Sequence, residues 1–176
     1  MTTHLTTDRL LLRDFTPSDE AAIHSFAGDP SVTRFTDWGP NTPADTRAFL
    51  AEVTTQQTDP HRTAFNLAAV QADSGRLIGS VSIGVTSPQH RRGEFGFVFH
   101  PDVWSQGYAT EVGRSLLRFG FDHLRLRRVS ATCHPDNHAS ARVLRKTGLE
   151  FEGRMRSHLL VRGVWRDSLL YAAVNG

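Results

Sequence analysis

The stretch Glu94–Glu111 constrains the fold of this chain more than any other. It opens with an apolar run in which Phe95, Phe97 and Phe99 alternate with other residues, as expected for one face of a strand. A short polar turn with small residues follows, and then a helical pattern. Successive backbone N–H groups that lead into a helix N-terminus form a concavity that binds anions. The stretch therefore predicts a strand, a phosphate-binding turn and a helix.

The hydrophobic periodicity of the remaining chain predicts one domain over residues 1–176. Short apolar runs and alternating patterns indicate strands, and apolar residues at helical spacing, bounded by Pro, Asn and Gly, indicate helices. The predicted elements, in chain order, are a strand in Thr7–Phe15, helices in Pro17–Gly28 and Asn41–Asp59, a hairpin in Thr63–Val85, the strand and helix described above, a strand in Arg127–Cys133, a helix from Asn137 to Gly148, and a hairpin turning at Arg162-Gly163. This order predicts an α+β fold, with a mixed, mostly antiparallel sheet flanked by helices and one parallel crossover.

Composition narrows the classes of function. Cys133 is the single cysteine of the 176 residues, so no intrachain disulfide can form, which suits a reducing compartment. No run of eighteen apolar residues occurs. We therefore expect a soluble, cytoplasmic protein with no membrane partner. The formal net charge of +2 is too small to predict nucleic-acid binding, although the arginine-rich composition leaves an RNA or ribosome binder as a third hypothesis.

Four segments, in the right order along nearly the whole chain, resemble the GNAT N-acetyltransferases. They are Thr7–Arg13, Trp104–Glu111, Asn137–Leu149 and Val161–Asp167. The resemblance is to the RimJ/RimL branch, which acetylates the N-termini of ribosomal proteins and has many small-molecule relatives. Each segment alone is a weak signal, but four in register are strong. The resemblance implies a GNAT fold whose central strands splay apart, and acetyl-CoA as the donor.

The same resemblance assigns the cofactor contacts. The pyrophosphate would lie on backbone amides of the turn, and the pantetheine arm and thioester oxygen on the splayed strand; Asn137 would bond a pantetheine amide, and Arg142 would meet a phosphate. The turn residues are Ser105, Gln106, Gly107, Tyr108, Ala109 and Thr110, and the strand residues are Phe97, Val98 and Phe99. Trp104 stands where the superfamily pattern has Gln or Arg, so backbone amides are expected to carry more of the phosphate contact.

Two residues are candidates for the chemistry of acetylation. Glu94 could remove a proton from the amine, directly or through water, because an ammonium group is not a nucleophile. It could equally be an exposed acid that pairs with Arg91 or Arg92, and a water chain without a single base is a further option. Ser140 matches a family position thought to stabilise or protonate the departing thiolate; the alternative is a polar residue in the first turn of a helix.

The acceptor is the least determined component. Trp38 and Trp165 lie in segments that the family places around it, although either could be a core residue. The acceptor could be a protein N-terminal amine or a small amine, including an aminoglycoside-type antibiotic. A non-catalytic module that binds acyl-CoA is the alternative from another class. The oligomeric state is left open, with a homodimer as one option.

No metal site is expected. His134 and His138 have helical spacing for metal ligands, but Pro135 lies between them and no third ligand is evident. Cys133 ends an apolar strand without an activating neighbour in the sequence, which favours a buried, inert thiol over a nucleophile.

Overall fold

The computed structural model describes residues 4–176 and has eight strands and five helices in that range; residues 1–3, at the start of the predicted domain, lie outside it. The strands are β1 (His4–Thr6), β2 (Leu10–Asp14), β3 (Ala64–Gln71), β4 (Leu77–Ser87), β5 (Arg92–Phe99), β6 (Arg128–Cys133), β7 (Glu150–Val161) and β8 (Val164–Val174). The helices are α1 (Glu20–Ala27), α2 (Pro30–Thr33), α3 (Pro43–Gln56), α4 (Tyr108–Asp122) and α5 (His138–Thr147).

The strands form one sheet in the order β1-β2-β3-β4-β5-β6-β8-β7. Every neighbouring pair is antiparallel except β5 and β6, which are parallel and joined by α4. The predicted α+β class, with a mostly antiparallel sheet and one parallel crossover, is therefore confirmed.

Local sequence explains where the elements begin and end. Helix α3 starts at a capping box, in which the Thr42 side chain accepts from the Asp45 amide and the Asp45 carboxylate accepts from the Thr42 amide. The β7–β8 hairpin turns at Arg162 and Gly163, whose φ values of 50° and 78° are those of a two-residue type I′ turn. The predicted turn at this position is confirmed.

The sheet buries a separate apolar core on each face. One core packs α4 and α5 against the sheet, and the other packs α1 and α3 against the opposite face. Side chains alternate between the faces along β5: Phe95 and Phe99 are buried in the α4 core, whereas Val98 packs against the α1 and α3 core. The strand therefore presents different residues to the two sides of the domain.

The sequence patterns missed two short elements. The predicted strand over Thr7–Phe15 is shorter in the structure, where β2 begins at Leu10. A further strand, β1, precedes it, and a turn at Thr7–Arg9 separates β1 from β2. The Thr7 amide donates to the Leu10 carbonyl at 2.9 Å, and the Thr7 hydroxyl accepts from the Leu10 amide at 3.0 Å. Helix α2 (Pro30–Thr33) lies after the predicted end of the first helix, where no element was predicted. Elements of three or four residues are too short to show a period.

Candidate active site

The central feature of the site is a gap in the middle of the sheet. Strands β5 and β6 pair only from Arg92 to Glu94, opposite Arg128 to Ser130. Beyond Glu94, β5 pairs with β4 alone, and the last residues of β6 pair with β8 alone. The splay expected near Phe97–Phe99 is therefore present.

Backbone alternation determines which groups of β5 face the gap. On the β6 side, the Gly93 carbonyl accepts from the Ser130 hydroxyl at 3.3 Å; on the β4 side, the His100 amide donates to the Ile78 carbonyl at 2.8 Å. Since N–H and C=O groups of alternate residues point to the same side, Phe97 and Phe99 direct their amides into the gap, whereas Val98 directs its amide towards β4. The geometry favours Phe97 and Phe99 over Val98 as backbone donors.

The turn between β5 and α4 presents its backbone at the same end of the gap. Ser105 and Gly107 have φ values of 62° and 86°, and no side chain caps α4 among the described residues. The Thr110 amide donates to the Gly107 carbonyl at 3.1 Å, so the amides open to an anion, in the field of the helix dipole, are those of Tyr108 and Ala109. The Trp104 indole Nε1 donates to the Phe99 carbonyl at 2.8 Å, so this side chain fastens the turn to the end of β5.

A basic groove adjoins this turn, and the sequence analysis did not identify it. Its volume is about 650 Å³, and it lies between the β1–β2 turn and the outer face of α4. The lining residues are Thr6, Thr7, Asp8, Arg9, Gly107, Thr110, Glu111, Arg114, Arg118 and Lys146. Four of these residues are cationic and two are acidic. In the sequence, the available signal for this groove was the spacing of Glu111, Arg114 and Arg118 by three and four residues, which places them on one face of α4. The contribution of Arg9 depends on tertiary packing and has no such signal.

Helix α5 follows the end of β6, so it lies on the β6 side of the gap, across from the β5–α4 turn. The Asn137 Oδ1 accepts from the Ser140 amide at 3.1 Å, so Asn137 caps the helix; its amide nitrogen bonds no other residue within 4–176. Ser140 is half-buried in the first turn. Arg142 is exposed and does not line the basic groove. Burial raises the pKa of the Cys133 thiol to about 11, although Arg145 lowers it, which supports an inert role.

Glu94 lies at the start of the gap and lines a cavity of about 330 Å³ on the α1 and α3 face of the sheet. Small residues form much of the floor, including Ser82, Gly84 and Gly96. The Glu94 side chain is exposed on the cavity side, and partial loss of hydration at its carboxylate raises its pKa above the ordinary value. His158 and a hydrogen bond with Thr132 oppose this shift in pKa, and the charge of Asp37 adds to it.

No ion pair joins Glu94 to Arg91 or Arg92 in the described part of the chain. The Arg91 Nε donates instead to the Arg125 carbonyl at 2.7 Å. The surface-pair interpretation of Glu94 therefore finds no support.

The loop that carries Trp38 is fastened at two points. The Phe35 ring stacks on His134, at the end of β6, with ring centroids 5.1 Å apart. From the β7–β8 turn, the Arg162 Nη2 donates to the Trp38 carbonyl at 3.1 Å and also to the Gly39 carbonyl. The side chains of Trp38 and Trp165 are 39% and 62% exposed, so neither is a core residue. The loop contacts the end of β6 and the hairpin tip together.

Within residues 4–176, no group of three or more His, Cys, Asp or Glu side chains is arranged to hold a metal ion. In the same range, no helix is both long enough and apolar enough to cross a bilayer.

The geometry agrees with comparisons to known proteins. The model of the Acetyltransferase (GNAT) domain family matches residues 9–150. An uncharacterized N-acetyltransferase of Bacillus subtilis, YnaD, is 32% identical over 169 residues, which cover 96% of this chain and 95% of that protein. The crystal structure of a GNAT-family acetyltransferase from Bacillus anthracis is 30% identical, covers 98% of both chains and superimposes with a TM-score of 0.86.

A third comparison concerns the fold alone. RimL, a ribosomal L7/L12 α-N-protein acetyltransferase solved in complex with coenzyme A, is 20% identical, covers 98% of both chains and has a TM-score of 0.84. The fold expected from the sequence resemblance is thus the fold of solved relatives.

Proposed function

The chain belongs to the GNAT acetyltransferase family, and we propose that it moves an acetyl group from acetyl-CoA to a primary amine by direct transfer. The observation that carries the proposal is the gap between β5 and β6, beside the uncapped N-terminus of α4. Open amides of a strand and of a helix start occur together there, as a molecule with a pantetheine arm and a pyrophosphate requires. When bound, acetyl-CoA supplies the activated acetyl group as a thioester.

The residues around the gap fit that cofactor. Amides of the Ser105–Thr110 turn would hold the pyrophosphate, and the β5 backbone at Phe97 and Phe99 would hold the pantetheine arm and the thioester oxygen. Asn137 caps α5 through its oxygen, so its nitrogen can still donate to a pantetheine carbonyl. Arg142 remains a candidate for an outer phosphate contact only, because its side chain is exposed.

The chemistry follows from these positions. Glu94 would accept the first proton, from the ammonium form of the acceptor, directly or through water, which leaves the nitrogen as a free nucleophile. The nitrogen forms a bond to the thioester carbon, and an amide of β5 would stabilise the negative charge that develops on the carbonyl oxygen. The Ser140 hydroxyl would take up the second proton, which the nitrogen loses as it becomes an amide. As the carbon–sulfur bond breaks, Ser140 would pass its own proton to the departing sulfur, so the hydroxyl is regenerated. A raised pKa suits Glu94 for this role, because a base works best when its pKa lies nearer the working pH.

The cavity beside Glu94 is the proposed acceptor site. Its volume of about 330 Å³ accepts the end of a chain or a small amine, in keeping with an N-terminal residue of a protein or a small molecule. Exposed Trp38 and Trp165 would contact the rest of the acceptor. We also infer a cytoplasmic location, since a single free thiol suits a reducing compartment.

The direct test is release of free CoA thiol from acetyl-CoA, followed with a panel of peptides, polyamines, aminoglycosides and simple amines. We expect acetyl transfer to at least one class of amine, with the acetylated product identified by mass spectrometry. CoA binding without transfer to any amine between pH 6 and about 10, the range in which amines lose their protons, would instead support the non-catalytic module.

Substitution of Arg162 tests the acceptor side. In Arg162→Ala, the Trp38 loop loses its anchor on the hairpin, so the KM for the amine should rise by about tenfold or more, since even one lost hydrogen bond to a charged donor costs about 1.5 kcal/mol and about 1.4 kcal/mol is a factor of ten. The KM for acetyl-CoA should not change. Arg156→Ala, at an exposed position of β7, serves as the control in steady-state kinetics. An equal rise in both KM values would contradict a role confined to the acceptor.

A further inference from the structure

Arg9 makes an unusual set of contacts for a side chain that is 45% exposed. Its Nε donates to Glu111 Oε2 at 2.7 Å, and its Nη1 donates to the Gln106 carbonyl at 3.0 Å. Its guanidinium carbon lies 4.1 Å from the centre of the Tyr108 ring. One cation thus joins the β1–β2 turn to three residues of the β5–α4 turn and the start of α4.

The other residues of this cluster reinforce the same joint. Glu111 Oε1 accepts from the Thr7 hydroxyl at 2.6 Å and from the Arg9 amide at 2.8 Å. The Tyr108 hydroxyl accepts from the Gln71 amide nitrogen at 3.0 Å, which ties the helix start to β3. Gly107 has no side chain, and the atom nearest to an added Cβ would be Arg9 Nη2, at 3.5 Å. The turn is therefore held on its outer side by Arg9.

The position of Glu111 gives Arg9 an electrostatic role as well. A carboxylate in the first turn of a helix is favourable for the helix itself, but it opposes the binding of a phosphate at the same N-terminus. Although burial raises the pKa of Glu111, hydrogen bonds from Thr7 and Arg9 hold it below its ordinary value, so the carboxylate is ionised. Without Arg9, its negative charge would face the phosphate-binding turn uncompensated.

We propose that Arg9 is a positioning residue for the pyrophosphate of CoA: it fixes the β5–α4 turn through Gln106 and Tyr108, and it neutralises Glu111. The proposal rests on the proposed function, because it takes CoA as the ligand of that turn. Arg114, Arg118 and Lys146 line the same groove and leave its charge positive once Glu111 is neutralised. Arg9 acts on the phosphates through the turn, and it has no part in the transfer of the acetyl group.

The test compares ligands with and without the pyrophosphate. Acetyl-CoA and acetylpantetheine share the reacting thioester, but acetylpantetheine lacks the nucleotide end. In Arg9→Ala, we expect the dissociation constant of CoA, measured by calorimetry, to rise about tenfold, since a charge-assisted hydrogen bond is worth roughly that factor. The value of kcat/KM should fall by a similar factor with acetyl-CoA and should be unchanged with acetylpantetheine.

Three further variants sharpen the test. Arg9→Lys keeps the charge but loses the fork that reaches Glu111 and Gln106 together, so CoA binding should be intermediate. Arg9→Ala/Glu111→Gln should bind CoA more tightly than Arg9→Ala, because Gln keeps one acceptor for Thr7 and removes the uncompensated charge. Arg47→Ala breaks an exposed ion pair with Glu20 at 3.3 Å, between α3 and α1, and should leave CoA binding unchanged.

Equal losses with acetyl-CoA and acetylpantetheine would overturn the proposal, because they would show a general loss of structure. So would a double variant that binds CoA no better than Arg9→Ala. The failure of the proposed function is a separate result. If no acetyl transfer is found, calorimetry can still compare the binding of CoA and of pantetheine to Arg9→Ala and to the unsubstituted protein. Absence of any CoA binding by the unsubstituted protein would reject both.

Discussion

Replacement of Glu94 by Gln is expected to lower kcat/KM for acetyl transfer by about 10²-fold, the usual contribution of a general base. Gln keeps the size and one acceptor oxygen of the side chain but cannot take a proton. Because Glu94 lines the proposed acceptor cavity and not the phosphate turn, the KM for acetyl-CoA and the calorimetric affinity for CoA should be unchanged. Steady-state kinetics with the best amine of the panel would measure both effects.

The pH profile gives a second readout for the same variant. The pKa of Glu94 is raised, so the ionised form that accepts a proton is lost when the pH falls through a value above the ordinary range of a glutamate. The unsubstituted protein should therefore lose kcat/KM on the acid side through this raised pKa. Glu94→Gln should lack that limb and keep only the rise that follows deprotonation of the acceptor amine.

Folding stability provides the control for structural damage. A carboxyl group whose pKa is raised in the folded state binds its proton more tightly there than in the unfolded chain. Its effect on stability is neutral below the ordinary pKa and becomes unfavourable as the pH rises through the raised value. Glu94→Gln should therefore be at least as stable as the original protein at neutral pH, as measured by urea unfolding. The matched variant Glu150→Gln, at an exposed end of β7, should alter neither kinetics nor stability.

A variant that retains full activity, with its acid limb unchanged, would contradict the assignment of Glu94 as the base. It would favour a water chain without a single base. A fall in activity together with a loss of CoA binding would point to a distorted β5 and not to missing proton transfer.

Periodicity and turn chemistry predicted most of the fold because the long elements carry their own signals. The alternating phenylalanines of β5, the helix expected between Asn41 and Asp59 and the tight turn at Arg162-Gly163 are local features, and each lies where it was expected. The gap between β5 and β6 is different in kind. No residue of β5 indicates that its pairing with β6 stops after Glu94, and the gap was expected only because the sequence resembles a known family.

The candidate site was predictable to the extent that it consists of backbone. The turn at Ser105–Thr110 could be recognised from its small and polar residues, because its function is to expose amides. The role of Arg9 could not be recognised in this way, because it depends on a contact with Glu111, which lies 102 residues further along the chain. Likewise, the link from Arg162 to the Trp38 loop spans 124 residues. Side chains that act across the fold become visible only when the strands are in place.

The turn itself is tested most severely at Gly107, where Gly107→Val should weaken CoA binding by about 100-fold, or about 2.8 kcal/mol at about 1.4 kcal/mol per factor of ten. Gly107 has a φ of 86°, in the left-handed region, where a β-branched residue is strained by about 1–2 kcal/mol. An added Cβ would also lie 3.5 Å from Arg9 Nη2, so the larger valine side chain would crowd the contact by which Arg9 holds the turn and would shift the amides that are proposed to bind the phosphate. Strain and crowding act together at this position.

A second glycine separates the two effects. Gly163, in the β7–β8 turn, has a φ of 78°, and no atom would lie within 4 Å of an added Cβ. Gly163→Val therefore carries a similar backbone strain in a different turn, at the tip of the β7–β8 hairpin. If the crowding of the phosphate turn is decisive, both variants should lose similar stability in urea, but only Gly107→Val should lose CoA binding in calorimetry. Since backbone amides carry the proposed phosphate contact, equal CoA affinities for the two variants would move the phosphates away from this turn.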